Sequence, residues 1–144
     1  MIEAEILAID PGSTTGLCWL GWAEEIGHAE VPHDEVAQMF LTWVAMHEGA
    51  RVHPVTVVVE SFIIHPSTVT KSRQGVHDAI ELIGLIRHSC EALGIALHLQ
   101  TPAQGKRITN GHLKDAGLYV PRLGHARDAA RHLYLLLAKK GLLR

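Results

Sequence analysis

Three acidic residues occupy positions that a purely structural role explains poorly. Asp10 and Glu60 each end an apolar run typical of a buried strand, and Asp128 lies among alanines in an apolar helical segment. Carboxylates are rarely buried without a partner, because an unpaired charge inside a protein is expensive. Clustered carboxylates also repel one another unless a divalent cation neutralises them, and hard oxygen ligands suit Mg²⁺ or Mn²⁺. The three residues are therefore candidate ligands of a divalent cation.

Each of these residues also has an ordinary explanation. Asp10 precedes a Pro-Gly pair, where aspartate commonly forms a turn. Glu60 could be a solvated strand end, and Asp128 could pair with Arg131, three residues later on the same helix face. The joint spacing, rather than any one residue, favours a metal site.

The elements that would position these residues follow from hydrophobic periodicity. Strands are predicted at 4–10, 16–23, 26–31, 55–59 and 95–100, and helices at 34–47, 74–93, 109–116 and 124–139. A long loop is predicted at 61–73, and a basic loop follows the last strand. A meander followed by strands alternating with helices predicts a mixed five-stranded α/β sheet flanked by helices, in one domain spanning 1–144. If the strands ending at Asp10 and Glu60 are neighbours, both side chains lie at the sheet edge where α/β proteins bind ligands.

Composition argues against several classes of protein. Apolar residues make up 47% and charged residues 19% of the 144 residues, unlike disordered or fibrous chains. No apolar run approaches the ~18–20 residues of a membrane span. The first residues lack the basic and apolar regions of a secretory signal, and two cysteines are too few for a disulfide framework. We expect a soluble, intracellular protein with no membrane partner.

The net charge of −2 conceals an asymmetry along the chain. Residues 1–70 contain ten acidic residues and one basic residue, whereas residues 71–144 contain twelve basic and five acidic residues. A basic face would suit a polyanionic partner. Two oppositely charged halves that pair across an ordinary surface would give the same counts, so charge alone does not decide between these interpretations.

The motifs around the acidic residues resemble those of the RuvC family of Holliday-junction resolvases, within the RNase H-like nucleases. The segment 6–16, ILAIDPGSTTG, is similar to the family's first motif, and 57–60, VVVE, is similar to its second. The segment 125–130, HARDAA, resembles the closing motif, in which two metal-site residues lie three apart on a helix. Phe62 resembles an aromatic residue that the family carries just after the glutamate. The motifs follow the family order over essentially the whole chain.

The resemblance implies an RNase H-like fold whose active site contains Asp10, Glu60, His125 and Asp128. These residues would hold two Mg²⁺ ions per active site, and Mn²⁺ would be able to substitute. The reaction would be in-line attack of water on a phosphodiester, with one ion activating the water and the other stabilising the leaving 3′ oxygen. His132, one turn beyond Asp128, is a candidate to support a metal ligand by hydrogen bonding.

Basic residues complete the expected site. By the resemblance, Lys106 approaches the scissile phosphate as a catalytic residue, and Lys114 is the alternative for that role. Lys71 and Arg73 in the long loop are candidate phosphate contacts, and Phe62 could stack on an unpaired base. The expected DNA-binding residues are Phe62, Lys71, Arg73, Lys106, Arg107 and Lys114.

The resemblance implies a Mg²⁺-dependent endodeoxyribonuclease that makes paired cuts in Holliday junctions during DNA recombination and repair. It also implies a homodimer, formed largely through the helix at 74–93. The apolar stripe predicted for that helix contains Val76, Ile80, Ile83, Ile86 and Cys90, and Gly84 would mark a second face where another backbone approaches. The chain is shorter than the bacterial enzymes of the family, and its segment 107–123 lacks much of their glycine- and lysine-bearing insert. These departures favour a phage or mobile-element version, in the cytoplasm of a bacterium or of a phage-infected host.

Three alternatives stay open at this point. One is an RNase H-like nuclease acting on forks, flaps or RNA–DNA hybrids, and another is a module that binds branched DNA without cutting it. The opening motif also resembles the phosphate loop of sugar kinases and actin-type ATPases. Those proteins close two such domains over a nucleotide, and 144 residues do not supply two.

Overall fold

The fold is a five-stranded sheet covered by helices on both faces. The computed structural model describes residues 5–21, 23–50, 56–61 and 73–143, with backbone alone at 44, 46–50, 73 and 74. The strands are β1 (Ile6–Asp10), β2 (Thr14–Leu20), β3 (Ile26–Pro32), β4 (Thr56–Glu60) and β5 (Ala96–Gln100). The helices are α1 (His33–Ala50), α2 (Arg73–Leu93), α3 (Pro102–Lys106), α4 (Asn110–Asp115) and α5 (Gly124–Lys139). None of the helices described combines the length and the apolar character that crossing a membrane requires.

The sheet is mixed, with spatial order β3-β2-β1-β4-β5. Strands β1, β2 and β3 form an antiparallel meander, and β4 and β5 extend it in parallel with β1. The predicted mixed α/β sheet flanked by helices is confirmed. Because β1 and β4 are parallel neighbours, their carboxyl ends meet at the same edge of the sheet.

Each face of the sheet has its own apolar core, since side chains alternate between faces along a strand. On one face Leu7, Ile9 and Val57 belong to a cluster that includes residues of α1 and α2. On the other face Ala8 and Val58 belong to a cluster that includes residues of α5. Burying each large aliphatic side chain contributes about 1.5–3 kcal/mol. The two cores fix α5 against the face on which Asp10 and Glu60 lie.

Two local predictions are corrected by the structure. The predicted apolar stripe of the long helix is wrong at Ile80, which is 45% exposed. The buried apolar positions of α2 are instead Ala79, Leu82, Ile86 and Cys90, whose spacing of three or four residues keeps them on one face.

The segment predicted as a basic loop after β5 contains the short helix α3. Thr101 begins it with a capping box, in which its side chain accepts a hydrogen bond from the Gln104 backbone N–H. The Gln104 side chain accepts one from the Thr101 backbone N–H in return. Pro102 suits the first helical position because its missing N–H has no partner to lose there.

Candidate active site

A row of mostly polar residues crosses the sheet at the carboxyl ends of β1 and β4. Asp10 pairs with Gly16 on β2, and Gly16 pairs with Glu30 on β3. On the other side of Asp10, Glu60 ends β4 and pairs with Gln100 of β5. The condition set in the sequence analysis, that the strands ending at Asp10 and Glu60 are neighbours, is therefore met. In spatial order the row is Glu30, Gly16, Asp10, Glu60 and Gln100.

The first turn of α5 lies directly on this row. A Cβ atom at Gly16 would come within 1.9 Å of the carbonyl oxygen of His125 and 2.7 Å of the backbone nitrogen of Ala126. Only glycine leaves room for that approach, since real Cβ contacts are never so short. Gly16 therefore lets the first turn of α5 pack directly against β2.

Glu30 caps the start of α5 from a neighbouring strand. Leu123 occupies the N-cap position and makes no side-chain hydrogen bond there. Instead, Glu30 Oε1 accepts the backbone N–H groups of His125 at 2.8 Å and Ala126 at 3.4 Å. A carboxylate at a helix N-terminus is also favoured by the helix dipole. Glu30 was not identified as a cap in the sequence analysis. An indirect signal was that Leu123 has no side-chain acceptor to cap the helix, so the cap must come from elsewhere in the chain.

Three of the four expected metal-site residues come together where α5 meets β1. Ligand atoms of Asp10, His125 and Asp128 all lie within 4.8 Å of one another. His125 Nδ1 is 3.5 Å from Asp10 Oδ2. His125 and Asp128 share a helix face because they are three residues apart. Glu60 does not belong to this group of three, although it ends the strand beside Asp10.

The electrostatics of Asp10 fit a cation-binding site. Burial, which is the larger cause, and the nearby charges of Glu60, Asp128 and Glu30 together raise the pKa of its carboxyl group from 3.8 to about 8. Without a cation, Asp10 therefore holds a proton at neutral pH. A divalent cation would relieve both the desolvation and the repulsion, and the donor set of carboxylates with an imidazole suits such an ion.

Asp128 also forms the ion pair with Arg131 that its spacing allows. Arg131 Nη1 donates to Asp128 Oδ1. The guanidinium is fixed by two further acceptors, the backbone oxygen of Ile108 at 3.0 Å and Asn110 Oδ1 at 2.8 Å. The ion pair with Arg131 is therefore present, as the spacing of the two residues allows. It does not exclude a role as a metal ligand, because Asp128 still offers a ligand atom to the group with Asp10 and His125.

A polar cleft of about 470 Å³ adjoins the carboxylates. Its walls come from α3, α4 and α5 and include Lys106, Asn110, Asp128 and Arg131, with Glu60 also lining it. Lys106 is exposed, so its ammonium group can meet an anion that enters the cleft. Of the two lysines considered for a phosphate contact, Lys106 is the one that lines this cleft.

The other expected DNA contacts lie apart from the cleft or outside the described residues. Arg107 is exposed at the C-terminus of α3 and does not line the cleft. Lys114 Nζ is 4.8 Å from the ring centroid of Tyr119, in a cation–π contact. Phe62 and Lys71 lie outside the described residues, and so does the side chain of Arg73.

The fold is shared with solved junction resolvases. Thermus thermophilus RuvC in complex with Holliday junction substrate superposes with a TM-score of 0.62 at 18% identity, covering 96% of this chain and 97% of that one. A second Thermus thermophilus RuvC structure gives 0.57 at 18% identity, covering 96% and 98%. The yeast mitochondrial Holliday junction resolvase Ydc2 gives 0.50 at 11% identity, covering 92% and 75%.

These matches are in three-dimensional structure. No protein-family model matches the sequence, and no curated protein matches it. The expected RNase H-like architecture of the RuvC type is therefore confirmed as a fold.

Proposed function

We propose that this chain is a metal-dependent, structure-selective DNA endonuclease that resolves Holliday junctions by paired phosphodiester cuts. The observation that carries the proposal is the grouping of Asp10, His125 and Asp128 beside Glu60 at the carboxyl edge of a RuvC-type sheet. Thermus thermophilus RuvC has this fold and has been solved with Holliday junction substrate. Resolution of junctions would assign the protein to DNA recombination and repair.

Asp10, Glu60, His125 and Asp128 would hold two Mg²⁺ ions, and Mn²⁺ would substitute. Support comes from the high pKa of Asp10, because the burial and the carboxylate repulsion that raise it are both conditions that a divalent cation relieves. When bound, the ions would supply Lewis acidity at the phosphate and charge stabilisation at the leaving oxygen. The protein would contribute the fixed positions of the ligands, set by two strand ends and one helix face.

Lys106 would hold the scissile phosphate in the cleft beside these carboxylates. Its place in the same 470 Å³ cleft as Glu60 and Asp128 supports this role. The ammonium group would offset the repulsion between the phosphate and the acidic residues when DNA enters. Phosphate and base contacts farther along the DNA are proposed for Phe62, Lys71, Arg73, Arg107 and Lys114.

A homodimer would let one encounter with a junction produce two cuts, because a Holliday junction is two-fold symmetric. The outer face of α2 supports this proposal. Ile80 is 45% exposed, and a Cβ atom at Gly84, one turn later, would meet nothing within 4 Å. An exposed isoleucine next to a glycine allows a second backbone to approach closely, and two-fold dimers are the commonest assembly.

The proposal is tested by offering the protein a panel of labelled substrates with Mg²⁺ or Mn²⁺. The panel contains a Holliday junction, a fork, a flap, an RNA–DNA hybrid and a linear duplex of matched sequence. Preferential, metal-dependent cleavage of the junction supports the proposal. Preference for the fork, flap or hybrid would make it a nuclease of different selectivity, and binding without any cleavage would make it a binding module.

A further inference from the structure

A buried histidine lies behind Glu60. The side chain of His132 is 1% exposed, and its Nε2 lies 2.8 Å from Glu60 Oε2. Its Nδ1 lies 2.8 Å from Gln100 Oε1. Because a carboxylate accepts hydrogen bonds, His132 donates from Nε2 to Glu60. With the ring proton on Nε2, Nδ1 is an acceptor, and the Gln100 amide donates to it from its NH2 group after a half-turn that exchanges the amide oxygen and nitrogen. Glu60 and Gln100 are paired residues on neighbouring strands, so the imidazole ties the ends of β4 and β5 together.

The ring of His132 has little freedom to turn. On one side a Cβ atom at Gly105 would come 3.0 Å from both Cε1 and Nε2 of the ring, so the backbone of α3 closes against it. Both ring nitrogens are bonded to side chains of the polar row. A buried ring with two bonded nitrogens holds its partners in one geometry, because any other rotamer would leave a buried polar atom unsatisfied.

We infer that His132 is a positioning residue for Glu60, fixing Oε2 so that Oε1 remains the oxygen available to a cation. The inference rests on the function proposed above, in which Glu60 is a metal ligand. Packing alone would be served by an apolar residue, as by Leu133 and Leu136 on the same helix. Hydrogen bonds from behind to a ligating group orient it and raise its affinity for metal, by roughly 10–100-fold in known sites.

A matched pair of variants separates this role from a general contribution to folding. His132→Phe keeps a ring in place and removes both hydrogen bonds. His28→Phe is the control. His28 donates one partly buried hydrogen bond, from Nε2 to the backbone oxygen of Leu118 at 2.9 Å, and its partner is not an expected metal ligand. His132→Gln restores a donor that can reach the Glu60 carboxylate. Gln100→Met removes only the hydrogen bond between His132 Nδ1 and the Gln100 side chain. This variant tests the same inference if His132→Phe does not fold.

The readouts are Mn²⁺ binding by calorimetry and junction cleavage as a function of Mn²⁺ concentration. We expect His132→Phe to weaken Mn²⁺ binding by about 10–100-fold and to raise the concentration for half-maximal cleavage equally. Cleavage should recover at high Mn²⁺, His132→Gln should regain part of the affinity, and Gln100→Met should lose a smaller part. His28→Phe should bind Mn²⁺ as the parent does.

Equal Mn²⁺ affinity in the parent, His132→Phe and Gln100→Met would overturn the inference, even if the parent cleaves junctions. A parent that binds Mn²⁺ but cuts no junction would contradict the proposed function alone. In that case a selective loss of Mn²⁺ affinity in His132→Phe would still support the positioning role. Loss of affinity in His28→Phe as large as in His132→Phe would mean that both act through folding, and would overturn it.

Discussion

At the scale of single residues, the structure makes Asp10 the most strongly perturbed acid of the site. Its carboxyl group is buried beside three other carboxylates, which raises its pKa from 3.8 to about 8. Between those pH values the folded protein holds a proton that the unfolded chain has already lost. The free energy of unfolding of the metal-free protein therefore falls as pH rises toward 8.

Asp10→Asn removes this dependence, because the amide has the same shape and does not ionise. In EDTA the variant should be more stable than the parent at about pH 8, and the difference should narrow toward about pH 5. Urea denaturation at both pH values measures it, with the exposed Asp115→Asn as control. A stability difference between Asp10→Asn and the parent that stays constant with pH would contradict the assignment of the shift to this carboxyl group.

Replacing Lys106 and replacing Lys114 should have different effects on cleavage and on DNA binding. Because Lys106 lines the cleft with the carboxylates and Lys114 contacts Tyr119, Lys106→Ala should slow cleavage at saturating DNA about tenfold or more. Lys114→Ala should weaken DNA binding, and lower the slope of log affinity against log salt by about one, with little change in the saturated rate. Single-turnover kinetics separate the two effects. The reverse pattern would assign the phosphate contact to Lys114.

At the scale of elements, the proposed active site depends on how α5 packs on the sheet. The close approach at Gly16 and the cap from Glu30 are both made by strands of the meander, and both act on the turn that carries His125. The two proposed metal ligands on α5 thus take their positions from contacts with β2 and β3, and neither of these strands contributes a proposed ligand.

Gly16→Ala should displace the start of α5, because the new Cβ atom would overlap the His125 carbonyl oxygen. We expect a loss of about 1–3 kcal/mol in stability and a larger relative loss of cleavage than of DNA binding. Gly111→Ala is the control, since its Cβ atom would make only an ordinary contact at 3.5 Å. Denaturation and cleavage assays on both proteins measure the effects. Full activity in Gly16→Ala would show that the site tolerates a shifted α5.

The sequence predicted the five strands and the longer helices because their apolar periodicity is strong, and the motif order indicated Asp10, Glu60, His125 and Asp128. It did not predict Glu30, because a glutamate in a half-buried strand is identified as a cap only when the partner helix is known. The helix α3 was missed because five residues carry too little periodicity, although Thr101 and Pro102 are good start signals. The contact between Glu60 and His132 joins residues 72 positions apart, which spacing alone does not reveal.

At the scale of the whole molecule, the proposed site lies where the acidic and basic halves of the chain meet. Asp10 and Glu60 come from residues 1–70, whereas Lys106 and α5 come from the basic half. A basic half is suited to steering DNA toward carboxylates that would otherwise repel it. Binding of DNA at this site would explain the charge asymmetry, which the counts of acidic and basic residues alone do not explain.

The proposed dimer is tested on the outer face of α2. Gly84→Glu adds a charge where a side chain meets open space, so the monomer should fold normally. If the α2 faces of two subunits meet, the charge should shift the protein from dimer to the 15.8 kDa monomer at micromolar concentration and leave nicked junctions. Sedimentation and product analysis measure both. A parent that sediments as a monomer and still makes paired cuts in one encounter would contradict the dimer.

The most direct test of the account follows all four strands of one Holliday junction, each with its own label, with Mg²⁺, with EDTA, and with Asp10→Asn in place of the parent. We expect two symmetric nicks on opposite strands with the parent and Mg²⁺. We expect none with EDTA or with Asp10→Asn, which should still bind the junction. Cleavage that survives EDTA or Asp10→Asn, or a parent that binds the junction and leaves all four strands intact with Mg²⁺ and with Mn²⁺, would contradict it.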